Sequence, residues 1–422
     1  MNLSTSDSSR KRLTPLEAGS IPCDWSTRFF KDVCSSFNNG FVGQSLPHQV
    51  PHGHGVLYLQ GFNVRPNRLD LESCTDVTSV FAQKQKKARL RSGDLLTVQS
   101  GHIGTVAVVP PELDGASCHA LIISRPRTDL ICPSFVAYYL NSVRGQRRLL
   151  GLHVGSTIKH INTSELAKFR LPVPPLPEQK KISSILSACD DVIEKTGALI
   201  DAKKRQKVAL MQQLLTGKKR LPGFEGEWKE VRIGELFKEV SRPVKWDDEE
   251  LYNLISVRRR SGGLFFREAL HGKDILTKVM NTTRTGDFLI SKMQVVHGAM
   301  AMTPPEFNGG HVSGSYITLV ATCGAPIYMP FFDQLSRTKW LYHLSFISSY
   351  GVVIEKMTFN LEDFLKKTIL IPPTVEEQER ISDVLKTCED EEAALGRKLA
   401  ALKQQKKALM QKLLTGQVRV KV

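Results

Sequence analysis

The spacing of apolar positions divides the chain into two kinds of segment. Two stretches carry a seam of period 3.5. The first runs Ile182, Leu186, Cys189, Ile193, Thr196, Ile200, Lys203, Lys207, Leu210 and Leu214, and the second Ile381, Leu385, Cys388, Glu392, Leu395, Leu399, Leu402, Lys406, Leu409 and Leu413. A seam of this period over about five heptads, with no internal proline, predicts a pair of long coiled-coil helices. Pro174-Pro175 and Pro372-Pro373 stand before the two stretches, Glu178 and Glu376-Glu377 lie in their first turns, and Thr-Gly closes each, as helix start and stop signals require. Elsewhere the apolar runs are short and punctuated by Gly, Pro and Asp. Val56–Gln60, Leu95–Val98, Val106–Val109 and Leu121–Ser124 read as strands, and Pro133–Leu150 and Pro330–Ser348 each as a peripheral helix.

The chain also repeats itself. Gln179–Gly217 aligns without gaps to Gln378–Gly416 at an offset of 199 residues, with about half the positions identical. Further landmarks recur: Ile21-Pro22 with Trp25 answers Leu221-Pro222 with Trp228, and Gly93-Asp94-Leu95-Leu96 answers Gly286-Asp287-Phe288-Leu289. Between the landmarks the halves differ, so a duplicated frame carries two dissimilar inserts.

The expected fold class is α+β: two mixed α/β domains separated by two long α-helices that form an antiparallel coiled coil. The expected boundaries are a flexible N-terminus (1–20), a first domain (21–177), a first spacer helix (178–217), a linker and second domain (218–375), a second spacer helix (376–416) and a C-terminal tail (417–422). The antiparallel arrangement is expected because domain termini tend to lie close together. About 39 residues at 1.5 Å each offer roughly 58 Å of helix as a ruler between the domains.

Composition narrows the function. The formal charge of +16 favours a polyanion as partner, because Lys and Arg bind phosphates through counterion release. The alternative is a coiled-coil scaffold for proteins whose basic charge is incidental. The eight cysteines form no C-x-x-C pair, which speaks against a zinc knuckle or a disulfide framework, and no run of about 18 apolar residues suggests a membrane span. With no secretion signal in the polar first stretch, the expected location is the cytoplasm. There is no G-x-x-x-x-G-K-[ST] loop and no G-x-G-x-x-G after a strand. The prolines of Thr303-Pro304-Pro305-Glu306-Phe307 lack the preceding amide or carboxylate of an adenine methyltransferase motif. The histidines His48, His52 and His54 and the run Asp247-Asp248-Glu249-Glu250 read as solvated loops rather than metal sites.

Two copies of Pro-Pro-x-x-(Glu)-Glu-Gln-x-x-Ile lead into helices ending Ala-Leu-Met-Gln-x-Leu-Leu-Thr-Gly, each after a domain with Gly-Asp-hydrophobic-Leu, and Leu214–Trp228 bridges the halves. In this combination, from about Ile21 to Gly416, the chain resembles the DNA-specificity subunits of type I restriction-modification enzymes. The second Pro-Pro segment is one residue longer than the first and lacks its third proline, Pro177. The resemblance implies two target-recognition domains, each reading half of a bipartite asymmetric site in double-stranded DNA. It implies two methyltransferase subunits that use S-adenosylmethionine, and restriction and translocase subunits that use ATP and Mg. The chain itself would bind no cofactor and catalyse nothing.

Base reading needs hydrogen-bonding side chains at loop tips, whereas affinity comes from phosphates. The candidates in the first domain are Gln99, Ser100, His102, Lys159 and His160. In the second they are Arg258, Arg259, Arg260, Lys292, Gln294, His297, His311 and Ser313. Lys203, Lys207 and Lys406 interrupt the helix seams and are candidate docking points for a methyltransferase subunit, since a core lysine weakens a seam unless its ammonium group finds an acceptor. Reaching solvent is the other reading of these lysines.

Overall fold

The computed structural model of the protein describes residues 13–15, 20–151 and 160–421. The chain divides into two compact units, Met1–Gly197 with Lys398–Val422, and Ala198–Arg397. The division falls inside two helices of 39 residues, Leu176–Leu214 and Val375–Leu413. Each unit therefore holds the beginning of one long helix and the end of the other.

In the first unit an antiparallel sheet runs in the order Val106–Val108, Leu95–Val98, Leu121–Pro126, Cys34–Asn39. A second, mixed sheet holds Ser117–Cys118, Val56–Leu59, Thr75–Val77 and Gln49–Val50. The strand Leu95–Val98 is buried at every residue, which explains why it is apolar except at Thr97 and does not alternate with polar positions. The second unit has the same plan. Its antiparallel sheet is Phe237–Glu239, Tyr316–Ala321, Phe288–Ser291, Met300–Met302, and its second sheet is Leu264–His271, Leu251–Val257, His311–Ser313, Met280–Thr282. The fold class is thus α+β, two mixed domains with two long helices.

The two peripheral helices expected from the apolar pattern are each split. Pro133–Asn141 is followed by Val143–Leu150, and Met329–Ser336 by Lys339–Ile347. At the first break Ser142 Oγ accepts from the Gly145 amide at 3.1 Å, and at the second Thr338 Oγ1 accepts from the Leu341 amide at 3.3 Å. A side-chain oxygen that caps orphan amides starts a new helix where the apolar period alone would continue the old one. Gly145 makes the first corner possible, because a Cβ there would lie 2.0 Å from the Tyr139 carbonyl oxygen.

The Gly-Asp landmark is a clamp inside each sheet. Asp94 is buried, accepts the Arg91 amide at 2.8 Å and takes Arg125 through both carboxylate oxygens at 2.7 and 2.8 Å. Asp287 likewise accepts the Arg284 amide at 2.7 Å and takes Arg242 at 2.6 and 3.0 Å. The carboxylate closes its own turn, which needs the left-handed glycine before it (φ +85° at Gly93, +87° at Gly286). It also forms a two-point ion pair with a guanidinium. Arg125 comes from the strand Leu121–Pro126, whereas Arg242 follows Phe237–Glu239, so one clamp is built from two different places in the frame.

Within each unit the long-helix segments run antiparallel. In the first unit Glu178 meets Arg419 and Asp190 meets Lys406; in the second Lys203 meets Glu391 and Lys207 lies near Glu389. The Glu-Gln pair at each helix start does most of the fastening. Glu178, 2% exposed, accepts from Arg419 at 2.6 and 2.7 Å and from the Trp25 indole at 3.1 Å. Glu377, fully buried, accepts from Arg220 at 2.5 and 2.7 Å. Each arginine lies three residues beyond the Thr-Gly that ends the opposite helix. The hydrogen bonds to Glu178, then to Asp24, raise the Arg419 guanidinium above its ordinary pKa.

The adjacent glutamines are buried and satisfied. Gln179 accepts the Cys132 amide at 2.8 Å and donates to the Pro174 carbonyl at 2.8 Å; Gln378 accepts the Tyr328 amide at 2.8 Å and donates to Pro326 at 2.9 Å. They tie each long helix to the start of a short helix, where amides lack intrahelical partners. Helix ends then complete the cores. Leu413 and Leu414 pack with Ile21, Trp25, Ile182 and Leu186, while Leu214 and Leu215 pack with Ile233, Ile381 and Leu385. Each buried leucine contributes about 1.5–3 kcal/mol.

Removing Arg419 would leave the Glu178 carboxylate buried with only the Trp25 indole. Arg419→Ala is expected to destabilise the first unit by about 2–3 kcal/mol, below the 3–5 of a fully buried pair because the arginine is 30% exposed. Thermal or urea unfolding measures it, and the double change with Glu178→Gln should recover part of the loss. An unfolding free energy unchanged by Arg419→Ala would show that the clamp carries no stability.

Candidate nucleic-acid interface

The strand after each Gly-Asp clamp delivers its last residues to the same position in each unit. In the first, the Gln99 carbonyl accepts the Ile161 amide at 3.2 Å; in the second, the Lys292 carbonyl accepts the Phe359 amide at 2.9 Å. This matching bond places His160 beside Gln99, and Ser100 and His102 follow as exposed residues of the same hairpin. Gln99 itself is only 4% exposed and its amide donates to Asn39 Oδ1 at 2.7 Å. Lys159 lies outside the described residues. The helix Val143–Leu150 borders this edge through Gln146, which donates to the Gly104 carbonyl at 2.6 Å, and it presents Arg147 to solvent.

In the second unit the structure gathers Arg258, Arg259, Arg260, Lys292, Gln294 and His297. The hairpin between Leu251–Val257 and Leu264–His271 carries the three arginines, all exposed and in no ion pair among the described residues. Its tip is pinned: the Arg260 amide donates to the His297 carbonyl at 2.7 Å, the Ser261 amide to Gly298 at 3.0 Å, and Ser261 Oγ lies 2.5 Å from the Tyr342 hydroxyl. Arg260 and Ser261 adopt φ of +57° and +53°, a cost of order 1–3 kcal/mol each that such surrounding bonds must hold in place. Gly298 admits this packing, since a Cβ there would stand 2.0 Å from the Tyr342 oxygen. Arg258 also lies over the Phe265 ring at 4.6 Å.

Other candidates separate. Ser313 adjoins Gly314, whose carbonyl accepts Lys292 Nζ at 3.3 Å, so it borders the cluster. His311 is half-buried edge-on to the Tyr252 ring, 5.1 Å between centroids, and burial lowers its pKa. That ring holds it in the sheet's packing. Buried Gln294 Oε1 and His297 Nε2 have no partner among the described residues, leaving hydrogen-bonding capacity at this edge.

The three seam lysines find acceptors on the facing helix. Lys203 Nζ lies 2.7 Å from Glu391, Lys207 lies 3.2 Å from Glu392 and 3.9 Å from Glu389, and Lys406 pairs with Asp190. Asp190 and Glu389 are equivalent in the repeat, and each also receives a donor from a short helix or its end: Tyr138 at 2.8 Å in one unit, Arg337 at 2.5 Å in the other. The polar gap in the seam is therefore a junction of three elements.

Among the described residues no group of His, Cys, Asp or Glu side chains could hold a metal. His52 instead lies 2.9 Å from Asp76, His48 stacks on Phe81, and Asp248 pairs with Lys278 at 2.6 Å. No helix among them is long and apolar enough to cross a membrane.

Comparison with known proteins agrees with this architecture. The family described as "Type I restriction modification DNA specificity domain" matches residues 22–202. The putative type I restriction enzyme MjaX specificity subunit of Methanocaldococcus jannaschii is 25% identical over 96% of both chains. The EcoBI specificity subunit of Escherichia coli is 23% identical over 38% of this chain and 34% of its own. Among solved structures, the S subunit of a type I restriction-modification system from M. genitalium superposes with a TM-score of 0.58 at 16% identity, covering 96% of this chain and 98% of that one. The HsdS subunit from Thermoanaerobacter tengcongensis superposes with a TM-score of 0.52 at 18% identity, covering 95% and 99%. Over nearly its whole length the chain is similar to specificity subunits of type I restriction-modification enzymes.

Proposed function

We propose that this chain is the DNA-recognition subunit of a type I restriction-modification complex in the cytoplasm, each unit reading one half of a bipartite, asymmetric site. The observation that carries this is the contrast between frame and edge. The Gly-Asp clamp, the Glu-Gln pair and the matching carbonyl bonds of Gln99 and Lys292 recur in both units. The side chains delivered to the edge do not. The first unit offers amide, hydroxyl and imidazole groups (Asn39, Ser100, His102, His160), whereas the second offers Arg258, Arg259, Arg260, Lys292, Gln294 and His297. One scaffold with two dissimilar donor sets suits two different half-sites.

Chemistry then belongs to the partners: two methyltransferase subunits using S-adenosylmethionine for adenine methylation, and restriction and translocase subunits using ATP and Mg. The chain itself acts without a cofactor and without catalysing a step. Docking of a methyltransferase through Lys203, Lys207 and Lys406 requires the partner to replace or share the carboxylates that already hold them.

The exposed arginines of the second unit supply phosphate contacts. Replacing Arg258, Arg259 and Arg260 together with alanine is expected to lower the salt dependence of duplex binding by about 2–3 in log–log slope, with affinity falling for all sequences alike. An unchanged slope would remove the hairpin from the interface. Exchanging residues 26–170 for those of a related subunit should change one half of the methylated motif, read by methylome sequencing, and leave the other. Both halves changing together would refute independent reading, and salt-insensitive binding by the intact complex would favour a protein scaffold.

A further inference from the structure

The amide of Asn39 has its acceptor side filled by its own protein. Asn39 ends the strand Cys34–Asn39 and is exposed, yet its Oδ1 receives two donors: Gln99 Nε2 at 2.7 Å and Thr163 Oγ1 at 2.7 Å. A carbonyl oxygen has two lone pairs, so both are occupied, and the two N–H bonds of Nδ2 are what this side chain has left to offer. The backbone is held as firmly. Asn39 pairs with Ile122, the following Gly40 amide donates to the Leu121 carbonyl at 2.8 Å, and a Cβ on Gly40 would stand 2.7 Å from the Cys118 oxygen.

Gln99 has the complementary character. It is buried, it sits where the second unit has Lys292, and its outward path is closed. A buried amide that donates to an exposed one orients it and does not itself meet a ligand. The exposed amide stands at the edge that also carries Ser100, His102 and His160, beside a helix that presents Arg147.

We propose that Asn39 is a base-reading residue of the first unit, and that Gln99 and Thr163 are positioning residues that present its amide as a donor. The inference rests on the DNA-reading function proposed above and names one reader within it. A donor-only amide selects an acceptor on a base edge, such as guanine O6 and N7 or thymine O4 in the major groove, and rejects the amino groups of cytosine N4 and adenine N6. Lys292, at the position of Gln99 in the second unit, donates to the Gly314 carbonyl instead, so this device is confined to the first half-site.

The test is the methylation motif of the intact complex, read by methylome sequencing for the wild type, Asn39→Asp and Gln99→Met. In Asn39→Asp the inner oxygen still accepts from Gln99 and Thr163 while the outward group becomes an acceptor. One base position in one half-site should then lose its preference by roughly tenfold, the effect of 1.4 kcal/mol, and shift towards a base that presents an amino group. Gln99→Met, similar in size but without the donor, should relax that same position while Asn39 remains in place. The proposal is overturned if Asn39→Asp keeps the full motif, or if activity falls evenly across all positions, as for a phosphate contact. A wild-type complex with no bipartite motif would overturn the DNA-reading function itself, which separates the two failures.

Discussion

Two buried carboxylates organise this molecule. Glu178 and Glu377 each begin a long helix, and each is neutralised by an arginine that lies just past the end of the other helix. A charge taken out of water must be paired or it is costly, so neither helix start is stable in its own unit without the partner helix's end. The same pairing brings Leu413 and Leu414 into one core and Leu214 and Leu215 into the other. The first unit is therefore built from two separated pieces of chain, 1–197 and 398–422, whereas the second is the continuous stretch 198–397, bounded by the end of one long helix and the start of the other.

This division of labour leaves the reading edges free to differ. The frame is fastened by groups that point inward: the Glu-Gln pair, the Asp94 and Asp287 clamps, and the junctions at Asp190 and Glu389. None of them contributes a side chain to the exposed edge. The loops that do, after Leu95–Val98 and Phe288–Ser291, are held at the same point by backbone carbonyls, those of Gln99 and Lys292, a fastening that does not depend on which side chains the exposed residues beyond it carry. The pinned arginine hairpin is found in one unit, and the amide set of Asn39, Gln99 and Thr163 in the other.

Much of the frame was legible in the sequence because its signals are local. Pro-Pro starts, Thr-Gly stops and a continuous seam mark the long helices, and buried runs such as Leu95–Val98 mark central strands. The two short-helix breaks were hidden because apolar spacing continues through Ser142 and Thr338, while their hydroxyls cap new helices. The clamp was hidden for a different reason: Glu178 and Arg419 are 241 residues apart. The repeat did contain the clue, since Arg220 and Arg419 occupy the same place after the two Thr-Gly ends. At the site, Gln99 looked like a loop residue because it follows a strand, and only the register shows it inside the sheet edge. Asn39 belongs to no pattern that sequence alone would single out.

The dependence of the first unit on the far end of the chain, 398–422, is the claim on which the rest depends, and native-state amide hydrogen exchange tests it most directly. The comparison is between the full chain and a chain ending at Arg397, which keeps the whole first recognition domain but loses Leu413, Leu414 and Arg419. The account predicts that Leu95–Val98 and Leu121–Pro126 lose protection while Phe288–Ser291 and Tyr316–Ala321 keep it. Equal protection of both sheets in the shortened chain would contradict it, and would show that the first recognition domain is complete without the second helix's end.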